Sequence, residues 1–243
     1  MEDEPFSSDD MILLYGIVDA ADADRFSFAD STTGIQDQPV ELIDCGALSV
    51  LASAVQDPDA LHKPDVGTAL SYKKVVDAAF AEGTVLPMRF GSYVRSRASL
   101  SDALDVQADR YRIQLDRMRG YAEMGLRLSF ALRSPASVPQ KLSAHGAYRN
   151  DRPGTAYLLA RDQERSADEQ RVHRIVQAFR TKLNGLTTDS SMATDPAVQD
   201  GVSIAFLVPR EGADAFREEA LNVSVPGVAS TEVVGPWAPY SFV

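Results

Sequence analysis

Short apolar blocks separated by polar, turn-rich stretches run the length of the chain, and their spacing switches between strand and helix periods. Met11 to Val18 is a continuous apolar run of strand length, and its Tyr15-Gly16 pair and β-branched residues favour a strand over a buried helix. Residues 20–38 are polar, a loop. Val40–Asp44 and Ala47–Val55, split by Cys45-Gly46, predict a hairpin, with a short helix as the alternative for Ala47–Val55. From Val66, apolar residues at Ala69, Leu70, Val76, Ala79 and Phe80 recur near helical spacing, with Pro64 suited to the first turn and Gly83 just past the end. Leu100, Leu104, Ala108, Tyr111, Leu115 and Met118 trace the stripe of a second helix closed by Gly120. Its opposite face carries Asp109, Arg112, Asp116 and Arg119 at spacings that allow mutual pairing.

Between those two helices lies Val85-Leu86-Pro87-Met88-Arg89-Phe90, bracketed by Gly83 and Gly91. Pro87 has no N–H to give to a ladder, which predicts a short strand at a sheet edge or with a bulge, leading into a glycine turn. If Met88 and Phe90 face the core, Arg89 points the other way. Farther on, Met124, Leu126, Leu128, Phe130 and Leu132 alternate with smaller or polar residues, the strongest period-2 signal in the chain and a half-buried strand. Residues 134–153 read as a loop and Thr155–Ala160 as another strand. Asp162–Asn184 is the longest expected helix, with Val172, Ile175, Val176, Phe179 and Leu183 on one face. A short strand near Met192, a strand over Val202–Val208 stopped by Pro209, a short helix over Ala213–Leu221 and a strand over Ser230–Val234 follow. From Thr155 the order is strand, helix, strand, strand, helix, strand, the split βαβ, ferredoxin-like order.

Composition narrows the function classes. The 243 residues suffice for one large domain or two small ones with a sizeable core. A net charge of −11 argues against a general nucleic-acid binder, which needs a basic footprint. The Arg-Tyr-Arg cluster at 110–112 reads as a solvated helix face for the same reason. Cys45 is the only cysteine, so no disulfide framework or cysteine zinc cluster exists. His62, His145 and His173 are scattered without helical metal-site spacing. The first ten residues are acidic, unlike a signal peptide, and read as a mobile leader. No apolar run approaches the roughly 18–20 residues of a membrane span, so a reduced, cytoplasmic protein is expected.

Catalytic signatures are missing: there is no G-x-S-x-G elbow, P-loop, G-x-G-x-x-G or H-E-x-x-H. Nothing names a nucleophile, a metal or a cofactor. The last nine residues are distinctive instead. Trp237, the only tryptophan, lies between Pro236 and Pro239, with Tyr240 and Phe242 following. Such an extended aromatic end either docks onto the chain's own core or presents an aromatic patch to a partner.

Four segments resemble the GvpF/GvpL family of gas vesicle accessory proteins, in the family's order: Leu14-Tyr15-Gly16-Ile17, then Val85-Leu86-Pro87-Met88-Arg89-Phe90-Gly91, then Gly154-Thr155-Ala156-Tyr157-Leu158-Leu159, and Gly235-Pro236-Trp237-Ala238-Pro239-Tyr240-Ser241-Phe242. Ala205-Phe206-Leu207-Val208 adds a weaker fifth. Tyr72 falls where the family often has a His, Ala238 where a second proline is common, and Glu123-Met124-Gly125 where an acidic-Trp-Gly run is usual. The resemblance implies an α+β protein of two domains. The expected domains are residues 1–120, an α/β sandwich-like domain with a mixed or antiparallel sheet plus helices, and 121–243, a modified ferredoxin-like (βαββαβ) domain ending in the aromatic tail. It further implies a non-enzymatic, cofactor-free role in gas vesicle formation, through contact with the small hydrophobic shell protein or other accessory proteins and not with nucleic acid or a lipid membrane. Arg89, Phe90, Trp237, Tyr240 and Phe242 are the candidate partner-binding residues. The rival readings are a minor structural component of the vesicle shell and a small-molecule binder or enzyme with a pocket near Arg89.

Overall fold

The computed structural model describes residues 11–27, 32–57, 61, 65–130, 153–193 and 201–243. The acidic leader and nearly all of the loop expected over 134–153 lie outside them. The fold is α+β, with two antiparallel sheets and helices, and the chain divides into two compact units. One comprises residues 1–124, 207–210 and 235–243, the other 125–206 and 211–234.

In the first unit, β1 (Met11–Asp19) is flanked on one side by β3 (Leu48–Val55), which pairs onward with β2 (Glu41–Cys45) as the expected hairpin. Its other side is shared by two short strands, β4 (Leu86–Pro87), opposite Gly16 and Ile17, and β5 (Tyr93–Val94), opposite Ile12 and Leu13. Pro87 thus sits in an edge strand, where its missing N–H costs no ladder bond. The β1–β3 register shifts between Leu14 and Gly16, making Tyr15 the extra residue of a bulge. That one-residue insertion explains why Leu13, Tyr15 and Val18 reach the same core cluster although strict alternation would separate them.

Helix α1 (Val66–Glu82) begins at Asp65, whose carboxylate accepts from the Thr68 N–H at 2.7 Å. It lays Tyr72, Val75, Val76, Ala79 and Phe80 against that cluster. Val66, Ala69 and Leu70, expected on the apolar stripe, are instead exposed. At 100° per residue Leu70 lies about 120° around the helix from Val76, off the face that Tyr72 and Val75 complete. The single helix expected over residues 100–118 is two: α2 (Arg97–Asp105), capped by Ser96, and α3 (Ala108–Met118). The Gln107 N–H turns back to the Leu104 carbonyl and Val106 is left exposed. An apolar stripe records which side chains are buried, not that one axis carries them all, so the pattern could not reveal the break. Both α1 and α3 pack on β1, so its buried run is continuous.

In the second unit, Thr155–Ala160 is helical, not a strand. It forms the first turns of α4 (Pro153–Leu183), with proline at the opening position, where its missing N–H is no loss. A short apolar run cannot be assigned to strand or helix by periodicity alone. Ile175, Val176, Phe179 and Leu183 are buried, and α4 packs beside α5 (Ala213–Asn222). The second sheet has strand order β7 (Asp189–Ala193), β8 (Gly201–Pro209), β6 (Tyr121–Phe130), β9 (Val228–Trp237). The strand, helix, strand, strand, helix, strand sequence is present, but β6 opens it. Phe206 and Phe216 pack with ring centres 5.3 Å apart and planes tilted by 52° within this unit.

Candidate functional site

The Arg89 turn is built by backbone geometry. The Ser92 N–H donates to the Arg89 carbonyl at 3.0 Å and Gly91 has φ +80°, as the third position of a type II turn requires. The turn is anchored at both ends to β1: the Met88 N–H donates to the Tyr15 carbonyl and the Leu14 N–H to the Ser92 carbonyl, each at 2.9 Å. From α1, the Tyr72 hydroxyl reaches the Met88 carbonyl at 2.6 Å and the Leu14 and Tyr15 carbonyls at 3.2 Å. Burial pushes the Tyr72 phenol well above its ordinary pKa, so the hydroxyl stays a donor. Phe90 lies edge-on to the Tyr72 ring at 5.2 Å and packs on the core, while Arg89 is exposed.

The C-terminal segment is held by Glu123, a nearly buried carboxylate in β6. Its two oxygens accept from the Ser241 N–H at 2.7 Å and the Ser241 hydroxyl at 2.9 Å, and the Trp237 side chain also donates to it. Burial raises the Glu123 pKa above the ordinary glutamate value, and these hydrogen bonds oppose that shift. Ala238 and Phe242 are buried. Trp237 is half-buried with the Lys73 ammonium 5.6 Å from its ring centre, and Tyr240 is 39% exposed. Gly235 has φ +102°, and a side chain there would collide with the Glu123 carbonyl at 2.7 Å.

These two features meet at a groove of about 390 Å3, lined by Leu86, Pro87, Met88, Arg89, Arg110, Tyr111, Gln114, Tyr240 and Val243. Of the five residues singled out by sequence, Arg89 and Tyr240 line it. Phe90 faces the core, Phe242 is buried and Trp237 lies against Glu123 and Lys73. Arg110, dismissed above as part of a solvated helix face, joins Arg89 at the groove. Sequence reading also missed Tyr72, Glu123 and Arg210. The Arg210 guanidinium lies 3.7 Å from the Phe80 ring centre and donates to the Gly83 carbonyl at 2.7 Å. A lone acid ahead of an apolar strand and an arginine just after one are the only traces these last two leave in the sequence.

Among the described residues no group of three or more His, Cys, Asp or Glu side chains is arranged to hold a metal, and no helix is long and apolar enough to cross a membrane. Cys45 is half-buried, and burial raises its thiol pKa, the opposite of an activated nucleophile. His173 is exposed on α4.

The family model described as gas vesicle synthesis protein GvpL/GvpF matches residues 11–243. Gas vesicle protein L of Streptomyces sp. (strain CB03234) is 27% identical over 230 residues, covering 86% of this chain and 85% of that protein. Gas vesicle protein F of the same strain is 28% identical over 243 residues, covering 95% and 98%. Among solved structures, the crystal structure of GvpF from Anabaena sp. PCC7120 superposes with a TM-score of 0.71 at 20% identity, covering 96% of this chain and 95% of that one. That of GvpF from Microcystis aeruginosa does so with 0.73 at 20% identity, covering 96% and 98%. At that identity the two structures speak for the fold alone.

Proposed function

The chain belongs to the gas vesicle synthesis protein GvpL/GvpF family and so has a role in gas vesicle formation; from that premise we propose that it acts there without catalysing a reaction, by binding the small hydrophobic shell protein or other accessory proteins during nucleation and assembly. It works in the cytoplasm at the forming vesicle. Its residues from about 121 onward are read as a modified ferredoxin-like domain and those before it as an α+β domain, with 207–210 and the tail 235–243 grouping with the first unit. Arg89, Phe90, Trp237, Tyr240 and Phe242 contribute to the partner contact, Arg89 and Tyr240 directly and the others by holding the surface in shape.

The observation that carries this reading is the groove itself, where an exposed arginine and an exposed tyrosine stand on a rigid turn and an anchored tail. Arginine and tyrosine are the side chains that most often dominate protein interfaces. The structural logic is that of a soluble acidic body offering a small contact surface to an aggregation-prone partner. The test is a pull-down of purified protein with the shell subunit and, separately, with each accessory protein, comparing wild type with Arg89→Ala and Tyr240→Ala. Retention by wild type and loss in the variants, with unchanged thermal unfolding, supports the reading. If folded wild-type protein retains none of these partners, the reading fails.

A further inference from the structure

We propose that the groove beside Arg89 and Arg110 receives an acidic segment of a partner protein, with carboxylates held by the two guanidinium groups and an apolar neighbour laid over Met88 and Tyr240. This deepens the preceding reading and rests on it only for the claim that the contact serves vesicle assembly. The binding chemistry is argued from the groove alone.

Charge comes first. The chain carries 35 acidic and 24 basic residues, so most of its cations have carboxylates available. Arg25 and Arg119 pair with Asp22, and Lys73 pairs with Asp77. Arg89 and Arg110 are exposed and make no side-chain hydrogen bond or ion pair among the described residues. Two guanidinium groups without an ion-pair partner among the described residues, on one concavity of an acidic protein, offer fork-shaped donors that match carboxylates bidentately. Neither has to break an ion pair with another described residue to bind.

Shape comes second. Arg89 stands on a turn tied to β1 by two backbone hydrogen bonds and to α1 by the Tyr72 hydroxyl, while Arg110 stands on the regular helix α3. Both backbone positions are therefore set before a ligand arrives, which lowers the ordering cost of binding. The volume of about 390 Å3 suits a few side chains of one segment and not a folded surface.

Chemistry of the floor decides between oxyanion sources. Leu86 and Pro87 are buried, Met88 is half-buried and Tyr240 is partly exposed, so the anion site adjoins an apolar, polarizable surface. Inorganic phosphate would engage the arginines and leave that surface bare. A peptide with alternating acidic and apolar side chains covers both. Nucleic acid is disfavoured by the overall charge of −11.

The experiment uses the full chain and two short fluorescent peptides, one alternating Glu and Leu and the other Gln and Leu, followed by anisotropy at low and moderate salt. The Glu-Leu peptide is expected to bind, the Gln-Leu peptide to bind at least roughly tenfold more weakly, and Arg89→Ala or Arg110→Ala to weaken the Glu-Leu peptide by a similar factor. Arg89→Glu with Arg110→Glu is expected to lose that peptide and gain a Lys-Leu one, while Arg89→Lys retains part of the affinity. Equal affinity for both peptides, or no change in the alanine variants, overturns the proposal. So does displacement of the Glu-Leu peptide by inorganic phosphate at concentrations no higher than those at which the peptide itself half-saturates the protein, since that would mark a simple oxyanion site. Failure of the peptides alongside a successful shell-subunit pull-down removes the acidic-segment claim alone.

Discussion

The Tyr72 hydroxyl donates to the Met88 carbonyl at 2.6 Å, tying the buried face of α1 to the residue that precedes Arg89. The same oxygen lies 3.2 Å from the Leu14 and Tyr15 carbonyls at the β1 bulge, so one phenol joins helix, bulge and turn. Tyr72→Phe keeps the ring and its packing on Tyr15 and Phe90 but leaves the Met88 carbonyl without this donor. A loss of about 1–2 kcal/mol is expected, read as a lower urea midpoint with an unchanged slope. Hydrogen exchange at the Met88 and Ser92 amides should rise more than at core amides of β3.

Gly91 separates backbone strain from crowding. Among the described residues a side chain there would meet only the Leu61 carbonyl, at 3.9 Å, an ordinary contact, but φ is +80°. Gly91→Ala is expected to cost about 1–2 kcal/mol from the left-handed backbone alone, and Gly91→Asn less, because asparagine tolerates that region. Equal thermal shifts for the two would point to crowding instead.

Glu123 makes the fold's stability depend on pH. Burial raises its folded-state pKa above the unfolded value. Its contribution is therefore most favourable below the unfolded pKa and is lost as pH rises through the folded one. Glu123→Gln retains an acceptor for Ser241 but has no such titration. The stability of wild type minus that of Glu123→Gln should accordingly increase as pH falls from neutral toward the ordinary glutamate range. Denaturant unfolding at several pH values checks it, and a difference that shrinks on acidification contradicts it.

Arg210 should resist conservative replacement. Its guanidinium stacks on Phe80, donates to the Gly83 carbonyl at 2.7 Å and lies 3.4 Å from the Tyr121 carbonyl, and burial lowers its pKa. A lysine brings charge without the planar fork. Arg210→Lys is expected to destabilise by about 1–3 kcal/mol in urea unfolding, whereas Arg112→Lys on the exposed face of α3 should be nearly silent.

Local pattern was enough for much of the architecture. The strands at 11–19, 121–130 and 201–209 follow apolar runs or alternation legible along the chain, whereas 48–55 stays open between strand and short helix until it pairs with β1 and β2. Pro87 restricts its strand to a sheet edge or a bulge because a missing N–H cannot be supplied by context, and the edge position is the one found. The four family-like segments, spread from Leu14 to Phe242, were legible for the same reason, since each residue is read where it stands.

Tertiary structure decided what depends on pairs of distant residues. Whether Thr155–Ala160 is strand or helix turns on what covers it, and the helix won. The bulge at Tyr15 exists only in register with β3, and its carbonyls find a donor 57 residues along the chain in Tyr72. The join of Arg89 with Arg110 and Tyr240 in one groove, and the hold of Glu123 on Ser241, belong to the same class. Periodicity reports how much of each side chain is buried along one element. Which polar groups meet is settled only when elements pack, because a hydrogen bond acts over about 3 Å and carries no signature in sequence separation.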